Sequence, residues 1–221
     1  MENDKRKNEF RCIHRHNGYQ HPKCYRDAFI EEEKIGFLDI ETEDLRADFG
    51  VIFGYCIKDA SSDKVYSDHL TLKDINKYKS CDREKDPRED TRVLEHLVSD
   101  MGNFNRLVGH YSCKFDLPYI RTRAVMCGVE FPEFGEYFQI DTWLILKKKF
   151  KLSRNSLENG CRKLLGVTNK DHLSLSIKHG VLRGEEWTIK DTMEHCRKDV
   201  LDTEALYKKI YGYAHTTRSS I

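Results

Sequence analysis

In IGFLDIETEDL, residues 35–45, Ile35, Phe37 and Leu38 mark an apolar, strand-like run, yet Asp39 and Glu41 lie inside it. Residues two apart in a strand point to the same face, so the two carboxylates stand side by side. Such a pair repels itself and gives up its charge on burial unless a cation or a proton intervenes. Two further acids come from separate elements: Asp116, opening a helix directly after RLVGH, and Asp199, within the helical stretch MEHCRKDVLDTEAL. Hard oxygen ligands gathered this way suit Mg²⁺ or Mn²⁺ rather than zinc, and two such ions suit in-line attack on a phosphodiester. One rival reading makes Asp39 and Glu41 the solvated carboxylates of an edge strand. Another takes Asp202, one turn from Asp199, as the fourth acid.

The elements that must position these acids can be read from periodicity. Strands are expected over 35–40, 50–58 and near 64–68, and their tight spacing predicts an antiparallel meander. The charged segment SCDREKDPRED, 80–90, reads as a solvated loop. An amphipathic helix follows in TRVLEHLVSDM, with Val93, Leu94, Leu97 and Val98 on one face, then the short strand RLVGH. FDLPYIRTRAVMCG reads as a helix closed by Gly128, Phe138–Asp141 as a strand, WLILKKKF and SLENGCRKLLG as helices, and about 188–212 as a long final helix. There is no internal repeat or low-complexity tract. A boundary near 33 separates an N-terminal Cys/His segment, 1–33, from a larger domain, 34–214, with 215–221 as a tail.

Composition narrows the classes. The chain has 221 residues, 38% hydrophobic and 34% charged, enough for one core and a small appendage. Lys and Arg number 38 against 37 for Asp and Glu, so any polyanion site must be a local patch. With strand-length apolar runs only and a charged start, MENDKRKNEF, a soluble, intracellular, cytoplasmic protein is expected, without membrane contact. Cys56, Cys81, Cys113, Cys127, Cys161 and Cys196 have no framework spacing and read as reduced, mostly core-filling thiols.

DIETEDL, GHYSCKFDLPYIRTRA and HCRKDVLDTEALY, in that order, resemble the three exonuclease motifs of the DEDD superfamily, the DnaQ-like 3′-to-5′ exonucleases. The resemblance spans roughly residues 35–210. IDTW, 140–143, followed by NSLENGCRKLLG, is similar to the connecting region of the branch related to family B polymerases. The resemblance implies an α/β, ribonuclease H-like mixed sheet with flanking helices. It makes Asp39, Glu41, Asp116 and Asp199 ligands of two Mg²⁺ or Mn²⁺, and places Thr42 and Leu45 beside the terminal nucleotide. In one branch a histidine precedes the last aspartate by five positions, and in the other a tyrosine precedes it by four. Here His195 stands four before Asp199, on the same helical face. It takes the tyrosine's slot with the histidine's chemistry, able to orient or deprotonate water; the alternative is a packing histidine. Tyr111 is a second departure, standing where the motif often has asparagine.

Before this domain, Cys12, His14, His16, His21 and Cys24 fall within RCIHRHNGYQHPKCY, with Gly18 and Pro22 to bend the chain. Cys12, His16, His21 and Cys24 are expected to wrap one tetrahedral Zn²⁺, with His14 as a substitute for His16. The alternative is a histidine-rich tail with free thiols. Arg11, Arg15, Lys23 and Arg26 surround this cluster and could touch nucleic acid backbone.

Cations that could admit a polyanion to the acidic site are Arg121 and Arg123, KKKFK at 147–151 with Arg154, and Lys190 with Arg197 and Lys198. Phe115, Tyr119 and Trp143 read as core. The expected activity is a metal-dependent 3′-to-5′ exonuclease on single-stranded nucleic acid, DNA slightly favoured over RNA. Its rivals are a non-catalytic binding module and a structure-specific endonuclease. No polymerase domain fits within 221 residues, so a proofreading or repair role would need a separate partner.

Overall fold

The computed structural model describes residues 7–21, 24, 25, 28, 34–78, 88–132, 138–169 and 173–214. Pro22, Lys23, Arg26, Cys81, most of the link 27–33 and the expected tail 215–221 lie outside the described residues. The chain divides into two compact units, Met1–Glu33 and Lys34–Ile221.

In the larger unit, β1 (Ile35–Thr42) is the middle of a five-stranded sheet with β2 (Ile52–Asp59) and β3 (Val65–His69) on one side and β4 (Arg106–Gly109) and β5 (Phe138–Asp141) on the other. β1, β2 and β3 pair antiparallel, as tight connections allow, whereas β4 runs parallel to β1, and β5 parallel to β4. The helices are α1 (Leu72–Tyr78), α2 (Thr91–Met101), α3 (Asp116–Cys127), α4 (Thr142–Lys149), α5 (Leu157–Leu164), α6 (Leu175–Arg183) and α7 (Glu186–Ile210). This is the expected mixed sheet with flanking helices.

α1 and α6 had no sequence-based expectation, although each carries a readable start. The Thr71 hydroxyl accepts from the Asp74 amide at 3.3 Å while Asp74 Oδ2 accepts from the Thr71 amide at 2.8 Å, a reciprocal cap. Ser174 caps α6 by accepting from the Ile177 amide.

Helices cover both faces of the sheet, which is why seven of the eight β2 residues are buried. On one face Leu38, Ile40, Tyr55 and Ile57 pack with Val93, Leu94 and Leu97 of α2 and Ile120 of α3. On the other, Phe37, Cys56 and Val108 pack against Cys196, Val200 and Tyr207 of α7. Strand alternation therefore turns Asp39 and Glu41, which share the Phe37 face, toward α7. Gly54 stands opposite Glu41, and a Cβ there would run into Met193 Sδ. The missing side chain lets α7 approach the strand at the level of the acids. Cys56, Cys127, Cys161 and Cys196 are buried and Cys113 is half-buried.

Two expectations fail at one place. The end of the charged segment is not solvated: Asp90 is fully buried at the start of α2 and accepts from the Ile52 amide at 2.8 Å. Nor is Arg123 a rim cation. Its Nη2 and Nε donate to the two Asp90 carboxylate oxygens at 2.6 and 3.0 Å, and a third nitrogen donates to the Ala47 carbonyl. An arginine on α3 and an aspartate 33 residues earlier thus form an internal fork that ties β2, α2 and α3 together.

Candidate active site

β1 supplies the first two acids, and the register shift between Glu41 and Thr42 re-aims the chain as it leaves the sheet. Glu41 is buried and Asp39 half-buried. α7 supplies the next groups. His195 Nδ1 lies 2.7 Å from Glu41 Oε1, with both side chains almost wholly enclosed, and Cys196 Sγ donates to the Asp39 carbonyl at 3.4 Å. Asp199, buried, follows one turn later on this stripe of the helix.

Asp202, the rival for the fourth position, faces elsewhere. Its carboxylate accepts from Thr168 Oγ1, the Asn169 amide and Asn169 Nδ2 at 2.7–2.9 Å, so it anchors the loop after α5.

Asp116 arrives from the sheet's parallel half. It opens α3 after β4, and its Oδ1 accepts from the Ile40 amide, between the two β1 acids, at 3.2 Å. Burial, opposed in part by backbone donors and reinforced by the charges of Asp141 and Glu41, pushes its carboxyl up to about 7. The chief cause is burial, a penalty on the charged carboxylate that a bound cation would offset. The hard oxygens of Asp39, Glu41, Asp116 and Asp199 fit divalent cations of the Mg²⁺ or Mn²⁺ type.

Asp141, within IDTW, supports the site although its position in the sequence does not mark it as a site residue. It is buried, caps α4 by accepting from the amides of Trp143 and Leu144, and also accepts from the amides of Tyr111 at 2.9 Å and Cys113 at 3.1 Å. It thereby fixes the turn that delivers Asp116, in which Tyr111 adopts the left-handed conformation at φ 66°. The readable signal was an N-cap aspartate directly before a helix.

The rim is mixed. Thr42 is buried, and its carbonyl accepts from Lys178 Nζ of α6 at 2.8 Å, a cation the sequence reading missed along with its helix. Leu45 is 79% exposed on the loop after β1, and on the same loop Arg46 lies over the exposed ring of Phe49. Trp143 is not core as expected: half-buried, it meets Tyr111 edge-on at 4.9 Å and carries Lys147 over its face. Phe115 packs against the main core and Tyr119 is buried in it, as expected. Arg121, Lys190 and Arg197 are exposed.

In the N-terminal unit, the structure gathers Cys12, His14, His21 and Cys24, with their ligand atoms all within 4.8 Å of one another. His14, not His16, completes the set. The Cys12 amide donates to the His16 carbonyl and the Arg15 amide to the Cys12 carbonyl, with Arg15 left-handed at φ 64°. This tight turn returns the chain after His14 and leaves the His16 ring beside His21, centroids 5.4 Å apart, rather than in the cluster.

A family model for the RNase_H superfamily matches residues 36–211. No curated protein matches the sequence. Among solved structures, the family B DNA polymerase from the hyperthermophilic archaeon Pyrobaculum calidifontis superposes with a TM-score of 0.62 at 17% identity, covering 81% of this chain. The match takes in only 24% of that polymerase's length. No helix among the described residues is long and apolar enough to cross a membrane.

Proposed function

Because the chain belongs to the RNase H superfamily, we propose that it is a nuclease that shortens single-stranded nucleic acid from the 3′ end, DNA slightly preferred over RNA. The observation that carries this reading is the meeting of β1, α3 and α7. Asp39 and Glu41 face the helix that bears His195 and Asp199, while Asp116 bonds to the strand between them. A binding module would not benefit from so many enclosed acids. The likeness to a family B polymerase over a quarter of its length, together with the exonuclease-like motifs, favours end-wise hydrolysis.

Asp39, Glu41, Asp116 and Asp199 would hold two Mg²⁺ or Mn²⁺, which when bound acidify water and stabilise a leaving oxygen. The protein's own groups do the remaining work. The carboxylate of Glu41 accepts the Nδ1 proton of His195, which fixes the ring and makes Nε2 the basic nitrogen, ready to take a proton from water. Exposed Leu45, held by the bulged end of β1, serves as an apolar wedge against the terminal base, and Thr42 lines the same edge. A polymerase or repair factor is a fitting separate partner.

His195→Gln should lower turnover by about 10²–10⁴-fold and flatten the acid side of the pH–rate profile, with little change in the Mn²⁺ concentration giving half-maximal rate. Wild-type rates would make the histidine structural. The activity itself is tested with 5′-labelled single-stranded DNA and RNA of one sequence, incubated with Mg²⁺, Mn²⁺ or chelator and resolved on a denaturing gel. A metal-dependent ladder receding from the 3′ end is expected, with nucleoside monophosphates released. Internal cuts would instead point to an endonuclease, and intact substrate to a binding module.

A further inference from the structure

We propose that Cys12, His14, His21 and Cys24 form a structural Zn²⁺ site, bound through both Sγ atoms and the Nδ1 atoms of both histidines. Cys12 Sγ lies 3.8 Å from His14 Nδ1 and 3.4 Å from His21 Nδ1; Cys24 Sγ lies 3.9 Å from His14 Nδ1, and the two Nδ1 atoms are 3.2 Å apart. Zn–S and Zn–N bonds of about 2.3 and 2.0–2.1 Å put the edges of a tetrahedron at roughly 3.3–3.8 Å. Four of the six edges thus lie within a few tenths of an ångström of those of a zinc tetrahedron, and all four atoms lie within 4.8 Å of one another.

The backbone is built to produce that convergence. The turn closed by Cys12 and His16 presents Cys12 and His14, two positions apart, to one side. Asn17 then accepts the amides of Tyr19 and Gln20 on its side chain and that of His21 on its carbonyl, bringing His21 and Cys24 back onto the pair. Apart from Cys12, Tyr25 is its buried apolar side chain among the described residues, meeting Phe10 edge-on. So short a piece cannot bury enough apolar surface to order itself, so metal binding supplies its folding free energy. Two thiolates and two neutral imidazoles around Zn²⁺ leave no net charge, which suits the partly enclosed set.

The test uses the full chain carrying Asp39→Asn and Asp199→Asn, which removes two of the four acids and so weakens the acidic site as a competitor for zinc. After dialysis against a weak chelator, elemental analysis should find about one zinc per chain, and X-ray absorption should show two sulfur and two nitrogen neighbours. Substitution with Co²⁺ should give the visible bands of a tetrahedral two-thiolate centre. Cys12→Ser, Cys24→Ser and His14→Ala should each lower retained zinc about tenfold or more, while His16→Ala keeps it. His14→Cys guards against simple misfolding: it should restore one zinc per chain, with the Co²⁺ bands displaced toward a three-thiolate spectrum. Less than about a tenth of a zinc per chain in the parent protein would overturn the proposal. So would equal loss in His16→Ala and His14→Ala, or a Cys12–Cys24 disulfide in the freshly reduced and refolded chain.

Discussion

Asp116→Asn should remove nuclease activity, by about a thousandfold or more, while leaving the fold intact and in fact tightening it. Asparagine keeps the oxygen that accepts from the Ile40 amide, so the link between α3 and β1 survives. What disappears is one negative charge from the proposed cation-binding set. Several kcal/mol of transition-state stabilisation, at about 1.4 kcal/mol per tenfold in rate, gives at least that loss. The same substitution should alter stability in chelator in a pH-dependent way. The native carboxyl titrates at about 7 against an ordinary 3.8, because burial penalises its charged form. Below pH 4 the group is protonated folded or unfolded, and the change should be near neutral. Between pH 4 and 7 the folded chain holds a proton that the unfolded chain has lost, so wild-type stability falls as pH rises; above 7 the full cost is present. Asp116→Asn should therefore melt higher than wild type at pH 8 and alike at pH 4. An active variant would remove Asp116 from the cation-binding set, and unchanged melting at pH 8 would show that the carboxyl is not under that strain.

Asp90→Ala should be among the most damaging single changes away from the site, costing about 3–5 kcal/mol. Arg123 is buried, and loss of its fork partner leaves a guanidinium where water cannot reach it. The Ile52 amide loses its acceptor at the same time. Urea denaturation should show a lower midpoint with an unchanged slope. The paired replacement Asp90→Leu with Arg123→Met should recover most of the loss, since it removes both charges rather than one. A single variant within about 1 kcal/mol of wild type would mean that the pair contributes little beyond packing.

These cases mark where sequence reading succeeds and stops. β1, α2, β4, α3 and β5 were legible because each announces itself through local periodicity, and α3 also through the glycine, Gly128, that closes it. Asp39, Glu41 and Asp116 were legible because carboxylates inside an apolar strand, and at the head of a helix that follows one, demand a reason; Asp199 was marked out from Asp202 only by its place after His195 in the resembling motif. Asp90 with Arg123 was not: a charged segment looks solvated until the residue 33 positions later, on another element, is known to lie against it. Asp141 hid for a related reason, since four amides converge on it from two separate segments. His14 and His16 were indistinguishable by spacing alone. The choice rests on a left-handed turn at Arg15, a residue with no intrinsic preference for one.

α7 also bears on how the molecule breathes. It runs unbroken for 25 residues, and its middle lies on the central strand through Cys196 and Val200, with a glycine in β2 giving it room. Of the three segments that carry the candidate site, β1 and α7 are therefore those whose amide protons should exchange slowest, on a global rather than a local opening. The exposed loop around Leu45 belongs to the other extreme of that scale. Such a division would let the proposed substrate-facing edge rearrange around different strand ends many times before the acids ever part from one another.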